Sequence, residues 1–184
     1  MSAVGNLKNL DLSGMRLAGL SFRGHSLKHT RLVGADLACS DFFRAHLTGV
    51  DLTDTDLTQT NFTLADLRGV CFRGATLDDI NLTGARLHHA TFEGADLTGL
   101  ALNGISALGC NFTRATLTNT NLSGADLRAG NGQVVSFHQA RMIGADLTDT
   151  RLHRARLSEI NGRRMRLVRA ILNHADLTAA DIQG

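Results

Sequence analysis

The chain has 184 residues with 19 Lys or Arg against 17 Asp or Glu, and 43% of it is hydrophobic. It contains no Pro, Trp or Tyr, and three Cys without CxxC spacing, so a disulfide framework or a structural zinc site is not expected. No apolar run approaches 18 residues and Met1–Gly5 carries no basic-then-apolar leader pattern, so neither a membrane span nor a secretory signal is expected, and a reducing cytoplasm is the natural compartment.

From Leu7 onward a large apolar residue recurs every five positions, through Leu12, Leu17 and Phe22 to Leu177 and Ile182. Of the 36 stations, Leu fills 24 and Phe seven, with Met142 and Ile182 at two more. Only Ala107, Gly132 and Gly162 depart. A period of five is neither the 3.6 of a helix nor the 2 of a strand. With the station called i, position i−2 is Ala fifteen times, i−1 is often Asp or Asn, and i+2 takes fifteen of the nineteen Gly.

A large and a small side chain per unit therefore point to one interior, as in a short strand. The chain must then turn before the next pair. Gly supplies the positive φ of a tight turn, and Asp or Asn can bond nearby backbone amides. Short strand and turn in alternation describe a coil, and coils must stack to satisfy their backbone groups.

The unit Ala-(Asp/Asn)-Leu-x-x resembles that of pentapeptide-repeat proteins over residues 5–184, with 1–4 left as an N-terminal tail. The resemblance implies an all-β fold, a right-handed quadrilateral β-helix with four units per coil. The 36 stations would make about nine coils, a rod roughly 40 Å long at the ~4.8 Å strand spacing. Phe22, Phe42 and Phe62 are spaced by twenty, as are Phe72, Phe92 and Phe112, so two Phe ladders are expected on opposite faces.

Gly130-Asn131-Gly132-Gln133-Val134 fits the unit poorly. It is either a degenerate repeat or a five-residue insertion, which would rotate later units by one face and set Phe137 over Phe112. Asn161-Gly162-Arg163-Arg164 makes 160–164 a second candidate outward loop. The repeat runs to Asp181-Ile182-Gln183-Gly184, leaving no room for the C-terminal helix that gyrase-binding relatives use to dimerise. An end-to-end homodimer that continues the core is the expected alternative to a blunted end.

No catalytic, cofactor or metal site is expected. His88-His89 falls on the outer surface, where a solvated pair is favoured over a metal site, and the eight His show no HExxH spacing. Cys110 should point inward; Cys39 and Cys71 should lie outward.

Three surfaces are candidates. If coils keep phase, the face of Leu17, Leu37, Leu57, Leu77 and Leu97 carries Asp36, Asp56, Asp78, Asp79, Asp96, Glu159 and Asp176 against Arg16 and Arg156. Phe43 and Leu64 would form a small apolar patch. Arg151, Arg154, Arg163, Arg164, Arg166 and Arg169 give a basic end.

The expected function is a non-enzymatic protein-interaction scaffold. The alternative implied by the family is a DNA mimic that binds DNA gyrase or another topoisomerase and protects it from poisons such as fluoroquinolones. The slightly basic charge of +2 counts against mimicry. Direct nucleic-acid binding is disfavoured by the lack of surface aromatics.

Overall fold

The structure, a computed structural model, describes residues 7–183. The 1–4 tail lies outside the described residues. The chain winds into a β-helical solenoid whose rungs are single-residue parallel bridges, spaced by twenty residues in the first part of the chain. Four pentapeptides therefore complete one turn. The N–H of i bonds the carbonyl one coil on, as Leu12 to Arg31 at 2.9 Å, and the N–H of i+2 does the same, as Gly14 to Val33 at 3.0 Å. The chain has no other way to satisfy these groups, so stacking is obligatory.

Four ladders define four faces. Face A runs Ser26, His46, Asp66, Arg86, Ser106, Asp126, Arg151, Ile171. Face B runs from Asp11 through Cys71 and Asn111 to Ser136, Arg156 and Asp176. Face C holds Arg16, Asp36, Asp56 and Thr76, then Asp96, Thr116, Arg141, Asn161 and Asp181. Face D holds Ser21, Asp41, Asn61 and Asn81, then Ala101, Asn121, Asp146 and Arg166.

Each unit closes with a turn in which the N–H of i+3 bonds the carbonyl of i, as Ala35 to Leu32 at 3.0 Å. From Asn9 to Ala179, every i+2 residue except Ala129 and Val134 has φ between +54° and +71°. That is the third position of a type II turn, which favours Gly. The side chain at i−1 braces the turn by accepting the N–H of i+1, as Asp51 from Thr53 at 2.9 Å and Asn111 from Thr113 at 3.0 Å.

The interior is sealed. Most stations and i−2 residues between Leu27 and Ile160 are fully buried. Phe22, Phe42 and Phe62 stack on face D at 4.6 and 5.0 Å between centroids. Phe72, Phe92, Phe112 and Phe137 stack on face B at 4.7, 5.1 and 4.9 Å. An edge contact of 6.4 Å between Phe62 and Phe72 joins the ladders across the core. Where i−2 is Ser, Thr or Cys, its hydrogen goes to a station carbonyl, that of the coil below for Thr60 to Leu37 at 3.0 Å and Cys110 to Leu87 at 2.8 Å, and that of its own turn for Thr55 to Leu52 at 2.6 Å. A hydroxyl thus sits in the core at little cost.

Two of the three departures from the station rule stay in the wall. Ala107 is fully buried and its N–H bonds Asp126 at 3.0 Å. Ile105, at the position usually held by Ala, supplies the volume that Ala107 lacks. The 160–164 segment is not a loop: Asn161 bridges both Arg141 and Asp181. A Cβ on Gly162 would meet Met165 Cε at 3.1 Å and Ile160 Cδ1 at 3.4 Å, so two oversized neighbours fill the missing station.

The wall opens once in mid-rod. Among the described residues no bridge joins Thr76 to Asp96 or Asn81 to Ala101. Ile80 and Leu100 are stacked at one inner corner where the neighbouring coils carry Thr60 and Thr120. Two branched side chains there exceed the space that one coil spacing leaves. Hydrogen exchange should therefore be faster at the amides of Leu77 and Leu82 than at Leu57 and Phe62, which bond Thr76 and Asn81; equal protection would remove the seam. Gly99 has φ +71° and open space around its missing Cβ. Gly99→Ala should therefore cost about 1–2 kcal/mol in denaturant unfolding through backbone strain alone, and a neutral substitution would contradict the turn assignment.

Candidate functional site

After Asn111 the bridge spacing changes from twenty to twenty-five residues over Asn111–Ser136, Thr116–Arg141, Asn121–Asp146 and Asp126–Arg151, then returns to twenty. One coil holds five extra residues. They form a minimal hairpin, with Gly130 N–H to Gln133 at 2.8 Å and the reverse bond at 2.9 Å. Its tip, Asn131-Gly132, has φ +47° and +80°, the two positive values of a type I′ turn. Phe137 then stacks directly on Phe112.

The hairpin folds down over face A instead of projecting. His89, 44 residues away in sequence, donates from Nδ1 to Gln133 Oε1 at 2.9 Å, and Asn131 Nδ2 donates to His89 Nε2 at 3.3 Å. Both ring nitrogens are used. Close approach needs two glycines. A Cβ on Gly109 would meet His89 Nδ1 at 2.7 Å and the Gln133 carbonyl at 3.2 Å, and one on Gly130 would meet Leu108 Cβ at 3.0 Å. The hairpin leaves a recess on each side. One, about 470 Å³, lies against Asn111, Ser136 and Arg156. The other, about 410 Å³, is floored by Gly49 and Gly69 and walled by Arg68, His88, His89 and Asn131. Partial burial, with Arg86, His89 and Arg68 close by, holds the His88 imidazole below its ordinary value of 6.5. His88 is also tied through Nε2 to Ser106 Oγ at 3.0 Å. The His88-His89 pair therefore serves the hairpin and the wall rather than standing solvated.

The five-residue shift rearranges the charges. Asp36, Asp56, Asp78, Asp79 and Asp96 share face C or its turns, and Asp36, Asp56 and Asp96 brace turns by accepting the N–H two residues on. Glu159, Asp176 and Arg156 move to face B, on the Ser136–Arg156–Asp176 ladder. Arg141, Arg163 and Arg164 take their place, so face C is acidic only in its first part.

The basic end is dispersed. Arg151 and Arg154 lie on face A, Arg163 and Arg164 on C, Arg166 and Arg169 on D. Arg163 pairs with Asp181 at 2.6 Å, Arg169 binds both oxygens of Asp149 at 2.6 Å, and Arg151 and Arg166 reach Asp126 and Asp146 at 3.8 and 3.9 Å, so four of the six are answered locally. The Phe43–Leu64 patch is also interrupted. Arg23 and Arg44 place their guanidinium carbons 4.3 and 5.0 Å from the Phe43 ring centre, while Leu64 is exposed.

Face A holds what no sequence motif announced. With the turns that follow its ladder it carries Lys8, Lys28, Arg68, Arg86, Arg128, Arg151 and Arg154 against Asp66 and Asp126. It also carries six of the eight His: His29, His46, His88, His89, His153 and His174. The other three faces each lie close to charge balance, so the positive excess of the chain is concentrated here. The signal was present as a period of twenty with a phase step of five at residue 130.

Cys110 is buried and its thiol is pushed up to about 12 by desolvation. Cys39 is exposed, and Cys71 is half-buried, 3.4 Å from Thr53 Oγ1. Among the described residues no group of three or more His, Cys, Asp or Glu could hold a metal ion, and no helix is long and apolar enough to cross a membrane.

A stacked-coil β-solenoid with a five-residue unit defines a class of repeat rod. The sequence profile of pentapeptide repeats matches in eight copies, over residues 40–79, 65–99, 101–131, 135–158 and 145–184. The chain belongs to the pentapeptide-repeat family. The profile lapses between 131 and 135, at the hairpin. No curated protein sequence matches the chain. Among solved structures it is similar to HetL, a pentapeptide-repeat protein involved in heterocyst differentiation regulation from the cyanobacterium Nostoc sp., at 26% identity over 96% of this chain and 91% of HetL, with a TM-score of 0.38. It is similar to QnrB1, a plasmid-mediated fluoroquinolone resistance protein, at 18% identity over 96% of this chain and 88% of QnrB1, with a TM-score of 0.44.

His89→Ala should free the hairpin and speed limited proteolysis at 130–133 without lowering the thermal midpoint of the wall; unchanged cleavage would show that the two glycines alone hold it. Asp66 accepts bonds from Arg68, which with Arg86 nearby outweigh burial and hold its carboxyl below the ordinary 3.8. A lowered folded-state value contributes stability present above the unfolded value and lost as pH falls through the folded one. Stability should thus drop below about pH 4. Asp66→Asn, which keeps an acceptor for the turn, should flatten that drop, and an unchanged acid profile would contradict it.

Proposed function

We propose that this chain is a non-catalytic, right-handed quadrilateral rod of about nine coils that works as a protein-interaction scaffold in the cytoplasm. The observation that carries this reading is the separation of roles within each unit. Positions i−2 and i are committed to the core and the backbone of i+2 to the turn, whereas the side chains at i−1, i+1 and i+2 vary along the wall and give each face its own charge. A rigid wall with distinct faces presents side chains at fixed spacing, which lowers the ordering cost of binding. Pentapeptide-repeat proteins generally serve as structural or interaction scaffolds. The apolar C-terminal coil, where Met165, Leu167, Leu172 and Leu177 are only partly buried, supports an end-to-end homodimer as one further contact.

A second reading, a mimic of DNA that binds gyrase or another topoisomerase, is supported by the Asp36, Asp56, Asp78, Asp79 and Asp96 stripe. The basic excess on face A and the arginines that follow on face C oppose it, because a DNA-binding saddle is itself basic.

Cross-linking in cells followed by mass spectrometry tests the first reading. The expected result is a defined partner whose cross-links fall on a restricted part of the rod; links scattered over all faces would overturn it. A gyrase supercoiling assay with and without a fluoroquinolone tests the second, which predicts inhibition or rescue; no effect at micromolar protein would eliminate it.

A further inference from the structure

The concentration of positive charge on one wall of an otherwise balanced rod asks for a partner of opposite sign. We propose that face A is a docking surface for an acidic segment of a protein partner, seated along the Gly49–Gly69 column beside the hairpin. This rests on the scaffold reading and adds to it the face and the chemistry of the partner.

Three observations support it. First, the charge is available. Arg68 and Arg128 are spent on bidentate bonds to Asp66 and Asp126, but Lys28, Arg86 and Arg154 are exposed and make no ion pair among the described residues. Second, the surface is shaped. Gly49 and Gly69 have no side chains, so the wall between the rows at Arg68 and His88 is recessed, and the hairpin closes one side with Asn131. A recess of about 410 Å³ admits an extended carboxylate side chain with its backbone. Third, the shape is held: His89 bonds the side chains of Asn131 at the hairpin tip and of Gln133 beside it, and the bare backbone at Gly109 and Gly130 lets the hairpin lie this close to the wall.

Charge density favours acidic protein over nucleic acid. The ladder from Ser26 to Ile171 spans roughly 35 Å at the inter-coil spacing. Over that length a duplex presents about 20 phosphates, whereas face A offers six Lys or Arg, interrupted by Asp66 and Asp126. Base stacking is best served by Phe, Tyr or Trp, and none of these lies on this face among the described residues. A peptide with a few carboxylates matches the sparse row.

The test measures fluorescence anisotropy at low salt with two probes, a short polyglutamate peptide and a duplex DNA. Three proteins are compared: the parent, Lys28→Glu/Arg86→Glu/Arg154→Glu on face A, and Arg16→Glu/Arg141→Glu/Arg164→Glu on face C. The two variants have the same net charge. The parent should bind the peptide, the face A variant should lose about tenfold or more, and the face C variant should stay close to the parent. Equal losses in both variants would show attraction to net charge alone and overturn the proposal. Tighter binding of the DNA would overturn it in favour of nucleic acid. Salt-sensitive oligomers in sedimentation, abolished only by the face A changes, would overturn it in favour of a second copy of the chain. Should charge reversal prevent folding, the neutral Lys28→Gln/Arg86→Gln/Arg154→Gln variant is read in the same way. A cellular partner whose cross-links map to faces B, C or D would remove this inference while leaving the scaffold reading intact.

Discussion

The left-handed turn residue at i+2, coupled to the backbone ladder between coils, is the constraint on which the rest of the structure depends. The turn bends the chain at each corner, and the ladder then requires the next coil to lie one strand spacing away. Neither works alone. Many i+2 residues are not Gly, among them Arg44, Gln59, Leu64, Glu159 and Ala179, and each is nevertheless held at φ +56° to +60°. Isolated, such a conformation costs about 1–2 kcal/mol for an ordinary side chain. The i+2 N–H of Arg44 and of Glu159 bonds a carbonyl of the next coil, to Thr63 at 3.0 Å and Thr178 at 2.9 Å, so the strained geometry is over-determined by its neighbours.

Packing inside the wall follows from the same geometry. Fixed coil spacing leaves a fixed volume per unit, so a small station needs a large neighbour. Ile105 compensates Ala107, and Ile160 with Met165 compensates Gly162. Where two large residues meet at one corner, as Ile80 and Leu100 do, the volume rule fails and the bridges lapse. The Phe ladders show the rule in its favourable form. Flat rings match the spacing between coils, and their centroids lie 4.6 to 5.1 Å apart.

Much of this was legible in the sequence because the repeat states it directly. The fivefold station, the Asp or Asn at i−1, the Gly-rich i+2 and the twentyfold Phe spacing each correspond to one physical role. The interaction surface was less legible. Faces are separated by twenty residues, and a five-residue hairpin changes the phase, so the row that joins Arg86 to Arg151 cannot be assembled without deciding what residues 129–133 do. Asn131-Gly132 carried the information as a type I′ turn signal. That the hairpin lies down against His89 depends on the absent side chains of Gly109 and Gly130, two coils of structure that no local pattern relates. Reading 160–164 as a loop failed for a related reason: a Gly at a station looks like a break until its neighbours' volumes are counted.

An unbroken wall requires residues 129–133 to be an excursion from it. Removing them leaves Leu127-Arg128 followed by Val134-Val135-Ser136-Phe137, which restores the five-residue step to Phe137. Val134 then occupies the turn position that disfavours a branched side chain, so the deletion is combined with Val134→Gly. Thermal unfolding followed by circular dichroism is the direct measurement. A wall that bypasses the hairpin predicts one cooperative transition with a midpoint within about 5 °C of the parent. Loss of the transition, or a separate early melting of the coils beyond Phe137, would show that the segment is part of the wall and contradict the register described.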